Sequence, residues 1–130
     1  MPDRKRDKFF QEKLDEILSE RDIRFAGFVD PEGNLIKGKF QEGIIPFEDD
    51  EEQVKIYREL AIRVATREKF DYSMGRVKYS ASRREKLVMM SFPLKKVILL
   101  ITAEPSINID RLAYKIIQML GKEWSEFFGQ

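Results

Sequence analysis

RFAGFVDPEGNLIKGKF, residues 24–40, is the stretch that decides the fold. Its first strand, residues 23–29, places apolar residues or glycine at both alternating sets of positions except for Arg24, which is typical of a strand buried on both faces or nearly so. Pro31 presets the backbone angle of an early turn position, and Gly33 supplies the positive φ that a later turn position requires. Residues 35–40 then predict the returning strand of a hairpin, in which Gly38 indicates a bulge or a closely approaching backbone.

Three segments with helical spacing surround this hairpin. Residues 7–20 carry one apolar stripe, and residues 51–69 carry a broader one. Asn108 is a good N-cap for a final helix that keeps helical spacing to about residue 120. These segments predict amphipathic helices that pack against a sheet.

Three more strands are predicted between the second and third helices. Residues 76–82 alternate between charged and apolar side chains, and residues 87–92 are mostly apolar. Residues 97–103 show no alternation at all, so we expect this strand at the centre of the sheet. The order α-β-β-α-β-β-β-α predicts an α+β fold, a five-stranded antiparallel sheet flanked by helices.

The chain is expected to form a single domain over residues 1–130, because it contains no repeat, linker or low-complexity segment. A C-terminal extension from about residue 121 is rich in aromatic residues. Trp124, Phe127 and Phe128 continue the stripe of the last helix, so we expect a docked tail there.

Composition excludes several kinds of chemistry. The 130 residues contain no histidine and no cysteine, which removes the commonest general base, thiolate nucleophiles and thiolate metal sites. The glycines do not form a phosphate-binding loop before a helix. We therefore predict a protein that is not an enzyme, with no catalytic residues, no cofactor and no metal site.

No membrane span is expected. The longest apolar run, residues 97–101, is far shorter than the roughly 20 residues that cross a bilayer. The N-terminal residues MPDRKRDKFF lack the apolar core of a signal peptide. A soluble, cytoplasmic protein with no membrane partner is the expectation.

The net charge of +1 hides two runs of opposite sign. Residues 42–52 carry six acidic side chains, and residues 76–96 carry seven basic ones against a single glutamate. The carboxylates at 48–52 suit the capping of a helix N-terminus, with Asp49 or Asp50 as the cap; a magnesium site is the less favoured alternative. Both runs are also compatible with plain solvated surface.

Within the basic run, one set of cations forms a candidate basic patch: Arg83, Arg84 and Lys86. Cations interleaved with Tyr79 and Phe92 are one pattern that binds nucleic acid. The nearly neutral chain makes a nucleic-acid partner unlikely, because dedicated binders are strongly basic.

The element order and several turn residues resemble the roadblock/dynein-light-chain family, whose members share a profilin-like core. FAGFVDPEGNLI is similar to the first hairpin of that family, and the helix at 51–69 lies where its central helix lies. EKLVMMSFPLKKVILLITAEPSINIDRLAYKI is similar to its last two strands and final helix. The basic turn SRREK and the aromatic C-terminus depart from the family pattern.

The resemblance implies a non-enzymatic protein-interaction module, typically a homodimer, that scaffolds or regulates small Ras-like GTPases or other signalling partners. In that family the central helices and middle strands pair across a two-fold axis. Carried over, this nominates a candidate dimer or partner interface: Ile56, Ile62, Arg76, Lys78 and Ser80. Ile56 and Ile62 fall outside the apolar stripe of their helix, which leaves them free for such a contact.

A small-molecule sensor of the PAS type is the alternative. VDPEGNLI fits the opening hairpin of such domains equally well. Against it, PAS domains place several short helices after the second strand, whereas this sequence predicts one helix of about five turns at about 3.6 residues per turn.

Overall fold

The computed structural model describes the backbone of residues 2–128 and the side chains of residues 4–121. The predicted element order is confirmed, with one short additional helix, α3. The elements are α1 (Pro2–Ile17), β1 (Ile23–Val29), β2 (Leu35–Phe40), α2 (Asp50–Glu68), α3 (Asp71–Met74), β3 (Ser80–Arg83), β4 (Val88–Pro93), β5 (Ile98–Ala103) and α4 (Ile109–Phe128).

The strands form one antiparallel sheet in the order β2-β1-β5-β4-β3. β1 and β5 lie at its centre, and β1 is buried at every position. This arrangement confirms the interpretation of both strands as covered on two faces, because only central strands between helical layers lose contact with water on each side.

Helices cover the two faces unequally. α1 and α4 pack on one face over the larger core, which includes Phe10, Phe28 and Ile116. α2 packs on the other face over a smaller core centred on β1 and β5. The residues of this smaller core are Phe25, Val29, Tyr57, Leu60, Ala61, Ile98 and Leu100.

The β1–β2 hairpin contains a bulge, but the bulge does not lie at Gly38, where the sequence indicated a bulge or a closely approaching backbone. The bulge lies at Ile36, because Phe28 pairs with Lys37 and Val29 pairs with Leu35. A Cβ built at Gly38 would lie 2.8 Å from the Phe25 ring, so an aromatic side chain, rather than a backbone, makes the close approach.

The strand predicted over residues 76–82 is shorter than expected. Only Ser80–Arg83 pair with β4, and the register would place Lys78 opposite Pro93. Proline has no N–H group to donate to a ladder, so pairing stops before that position. Residues 75–79 have no regular secondary structure, and the short α3 before them was not predicted from the sequence.

The N-terminus of α2 confirms the capping interpretation of the acidic run. The Asp49 side chain accepts from the Glu52 amide at 2.8 Å, and the Asp49 amide donates to Glu52 Oε1 at 3.4 Å. The two bonds form a capping box. The apolar face of α2 is narrower than its sequence stripe, because Val54 is exposed while Tyr57, Leu60 and Ala61 are buried.

α4 begins as predicted, with the Arg111 amide donating to Asn108 Oδ1 at 3.0 Å. Gly121 (φ 40°, ψ −147°) interrupts the helix. The Lys13 ammonium of α1 donates to the Met119 carbonyl near this interruption, which provides a partner for a helix-terminal acceptor. The predicted docking of Trp124, Phe127 and Phe128 lies outside the described side chains.

Candidate protein-interaction surface

α2 leaves part of the sheet face uncovered beside β4 and β3. Two hollows lie along the flank of α2 that faces this part of the sheet. The large groove has a volume of about 730 Å³, and the small hollow has about 190 Å³. Both are open surface features next to the β3 edge of the sheet, where backbone groups lack a neighbouring strand.

The large groove has walls of different charge. α2 and the segment before it contribute Glu48, Glu52 and Glu59, whereas the β3–β4 turn contributes cations. Apolar groups of Phe47, Ile56, Leu87 and Met89 also line it. Its remaining lining residues are Arg63, Ser82, Arg83, Arg84, Glu85 and Lys86.

The small hollow lies at the C-terminal half of α2. The Arg67 guanidinium donates to Ser80 Oγ at 2.6 Å and so joins α2 to the start of β3. Arg76 and Lys95 also line this hollow, together with the carboxylates Glu68 and Asp71. Mixed charge next to apolar surface is the composition of a polar protein interface rather than of a core.

The candidate interface residues lie around this surface but not all within it. Ile56 is half-buried and lines the large groove, whereas Ile62 is 66% exposed and lines neither hollow. Arg76 lines the small hollow, and Ser80 is the first residue of β3. Lys78 is exposed just before that strand.

The three cations of the candidate basic patch all line the large groove, but two of them also have contacts within the chain. The Arg83 guanidinium is turned to the α4 side, where it donates to the Pro105 carbonyl and to the Ile107 carbonyl at 2.8 Å. Lys86 Nζ lies 5.5 Å from the centre of the Phe47 ring. Both cations therefore have protein contacts, and Arg84 lines the large groove.

Arg24 is a structural residue that the sequence analysis missed. It is only 9% exposed within β1, and its guanidinium lies 4.4 Å from the centre of the Phe47 ring. It also donates to Glu104 at 3.4 Å and to the Ile45 carbonyl at 3.5 Å. These contacts hold the segment before α2 and thus one wall of the large groove. The sequence feature that could have indicated this role is a charged residue inside a strand that is buried on both faces.

Two tyrosines, Tyr57 and Tyr79, have pKa values raised above the ordinary value. Burial raises the pKa of Tyr57, and the charge of Glu48 raises it further. Tyr79 donates a hydrogen bond to Asp110, and this bond is the main cause of its raised pKa. Tyr79 also lies 6.0 Å from the Phe92 ring, so it joins the segment before β3 to α4 and β4.

Asp30 organises the hairpin turn. Slight burial opposes its ionisation, but hydrogen bonds from Asn34, Glu32 and Gly33 together hold its pKa below the ordinary value of 3.8. Because the pKa is lowered in the folded chain, the ionised carboxylate stabilises the fold above the pKa of the unfolded state. This contribution is lost as the pH falls through the folded pKa.

The space between α2 and the sheet is small. The cavity bordered by Phe25, Tyr57 and Leu100 has about 20 Å³, which is close to the size that holds one water molecule. Small-molecule sites have about 300–1,000 Å³. No specific feature of this cavity therefore favours the sensor alternative.

Two absences concern the described part of the chain. Within it, no group of three or more carboxylates is placed to hold a metal ion. None of the helices in residues 2–128 is long and apolar enough to cross a membrane.

The sheet order and helical layers define the class as a roadblock-like, profilin-like α+β fold. The chain is similar to MglB with tetrameric arrangement, with a TM-score of 0.74, 13% identity, and coverage of 94% of this chain and 89% of that chain. It is similar to a Roadblock/LC7 domain from Streptomyces avermitilis (TM-score 0.65, 8% identity, coverage 88% and 92%). It is also similar to Schizosaccharomyces pombe profilin (TM-score 0.63, 15% identity, coverage 93% and 99%).

These structures confirm the predicted fold resemblance, and their low identities limit the likeness to the fold. The chain belongs to the Family of unknown function (DUF6659), whose model matches residues 1–130. No curated protein matches the sequence significantly.

Proposed function

We propose that the chain is a non-enzymatic protein-interaction module, a homodimer that scaffolds or regulates a small Ras-like GTPase or another signalling protein in the cytoplasm. The observation that carries this proposal is the uncovered sheet face beside an unpaired edge strand. α2 packs over β1 and β5, whereas the groove beside β4 and β3 stays open.

An open edge strand next to an apolar-floored groove is suited to a second protein. β3 can add another strand through its free backbone groups. Ile56 and Met89 give the neighbouring groove apolar surface, and the charged walls supply a polar rim. A two-fold contact through β3 and α2 would use both features in each copy.

Self-association is supported by one structural relative, since MglB is described with a tetrameric arrangement. The GTPase partner is supported by the roadblock resemblance alone. Both are carried to this chain as parts of the proposal.

Sedimentation velocity of the full chain tests the proposal. We expect the wild type to sediment at twice the 15.4 kDa of one chain at micromolar concentration. Ile56→Asp and Ile62→Asp should weaken the dimer at least tenfold, because a carboxylate in an apolar contact must be desolvated. Ile45→Asp is the matched control, because Ile45 is an exposed isoleucine that lines neither the large groove nor the small hollow.

A wild type that remains monomeric at 100-fold higher concentration would contradict the dimer. The regulatory part is tested with the same proteins, by measuring GTP hydrolysis and nucleotide exchange of a small Ras-like GTPase from the same genome. Rates that are unchanged at saturating chain concentration for each such GTPase would contradict that part.

A further inference from the structure

The flank of α2 beside the uncovered sheet carries an ordered row of charges. Glu52, Ile56, Glu59, Arg63 and Arg67 follow one another at spacings of three or four residues, so they form one row along the helix. The first four line the large groove and the last lines the small hollow. The row is acidic in its N-terminal half and basic in its C-terminal half.

Such a row is complementary to itself in only one orientation. Two copies of α2 side by side and antiparallel place each acidic half against a basic half, whereas parallel copies place like charges together. Glu52 and Arg67 are about 22 Å apart along the helix axis at 1.5 Å per residue. The contact would therefore pair both ends of the row at once, about a two-fold axis near residue 60.

Within the described residues, the charged side chains of the row have only local contacts in one chain. Glu52 Oε1 accepts from the Asp49 amide at 3.4 Å in the capping box of α2. Arg63 Nε lies 3.5 Å from Glu59 Oε1 but makes no hydrogen bond there, and the two side chains are 41% and 72% exposed. An exposed pair of this kind contributes little within one chain. Arg67 is held at the start of β3 by its bond to Ser80, so the basic end of the row lies beside the strand edge.

We propose that this row selects a second copy of the same chain and fixes the antiparallel orientation of the two α2 helices. Glu52 faces Arg67 of the second copy, and Glu59 faces Arg63 of the second copy. The inference rests on the proposed homodimer and adds what determines its orientation and its preference for an identical partner. Charge pairs at a rim act mainly through specificity.

Two reversed chains test the proposal. The acid-reversed chain carries Glu52→Lys and Glu59→Lys, and the base-reversed chain carries Arg63→Glu and Arg67→Glu. Each alone places like charges across the contact, so we expect self-association to weaken roughly tenfold or more. An equimolar mixture restores every opposite-charge pair, so native mass spectrometry should find the mixed dimer in large excess over both self-dimers.

The control chains have the same net charges but reversals outside the row. They carry Asp50→Lys with Glu51→Lys, and Lys55→Glu with Lys69→Glu; none of these positions lines either hollow. Circular dichroism and thermal unfolding of all four chains separate misfolding from lost association. We expect these controls to form mixed dimers only near the statistical proportion.

The outcomes separate this inference from the proposed function. A dimeric wild type whose reversed chains self-associate normally would overturn the charge row and leave the dimer intact. A mixed-dimer excess as large in the control pair would also overturn it, since net charge alone would then be the cause. A monomeric wild type would overturn both proposals, and a stable complex of the monomer with a GTPase would assign the groove to that partner.

Discussion

At the residue scale, Gly33 combines two constraints that no other residue type meets. Its φ is 90°, in the left-handed region that favours glycine. A Cβ there would lie 2.7 Å from the Arg58 Cα of α2. The hairpin turn therefore touches the middle of α2, and Gly33 helps to set the distance between this helix and the sheet.

Gly33→Ala is expected to destabilise the fold by about 2–4 kcal/mol, because it adds a steric clash to the strain of a positive φ. Gly43→Ala is the matched control, since Gly43 has φ 81° and open space around its would-be Cβ. The control should lose only about 1 kcal/mol. Urea unfolding measures both free energies; equal losses would mean that the contact with α2 does not constrain the turn.

At the element scale, buried charge holds α1 against α4. Lys13 is 5% exposed, pairs with Glu16 at 2.9 Å and donates to the Met119 carbonyl of α4. A second lysine of α1, Lys8, pairs with Glu12 at 3.9 Å and is 80% exposed. The two lysines thus have similar sequence surroundings and different environments.

Lys13→Met is expected to lower the free energy of unfolding by about 2 kcal/mol, because the partly buried Met119 carbonyl of α4 loses its charged donor. Lys8→Met should change it by no more than about 0.5 kcal/mol, as is usual for an exposed pair on one helix. Thermal and urea unfolding of both variants give the comparison. A Lys13→Met chain as stable as the wild type would mean that α4 needs no partner at this position.

Periodicity and turn chemistry were sufficient for the order of the elements, because apolar alternation and helical spacing are local properties. The structure confirms both the buried central strand predicted from the apolar run of β5 and the Asn108 cap. The short β3 was not, since its limit depends on Pro93 in a neighbouring strand. The contacts of Arg24 and the charge row of α2 depend on which helix flank the sheet leaves open, and no local pattern contains that information.

At the scale of the whole molecule, a nearly neutral chain carries two runs of opposite charge. The acidic run precedes and begins α2, and the basic run surrounds β3 and the turns beside it. Folding brings the two runs to opposite walls of the large groove. We propose that this surface faces a second copy, and the unpaired β3 edge then lies at the two-fold axis.

Disulfide trapping at β3 tests that claim most directly, because the natural chain contains no cysteine. Antiparallel pairing of two β3 copies places only the residue on the two-fold axis opposite its own equivalent, at about 4.5–5.5 Å between Cα atoms. A disulfide spans this separation. We predict that Ala81→Cys or Ser82→Cys gives a covalent dimer on mild oxidation, whereas Ser106→Cys, on an exposed loop, stays monomeric. If neither Ala81→Cys nor Ser82→Cys forms more covalent dimer than the Ser106→Cys control, the result contradicts the proposed β3 contact.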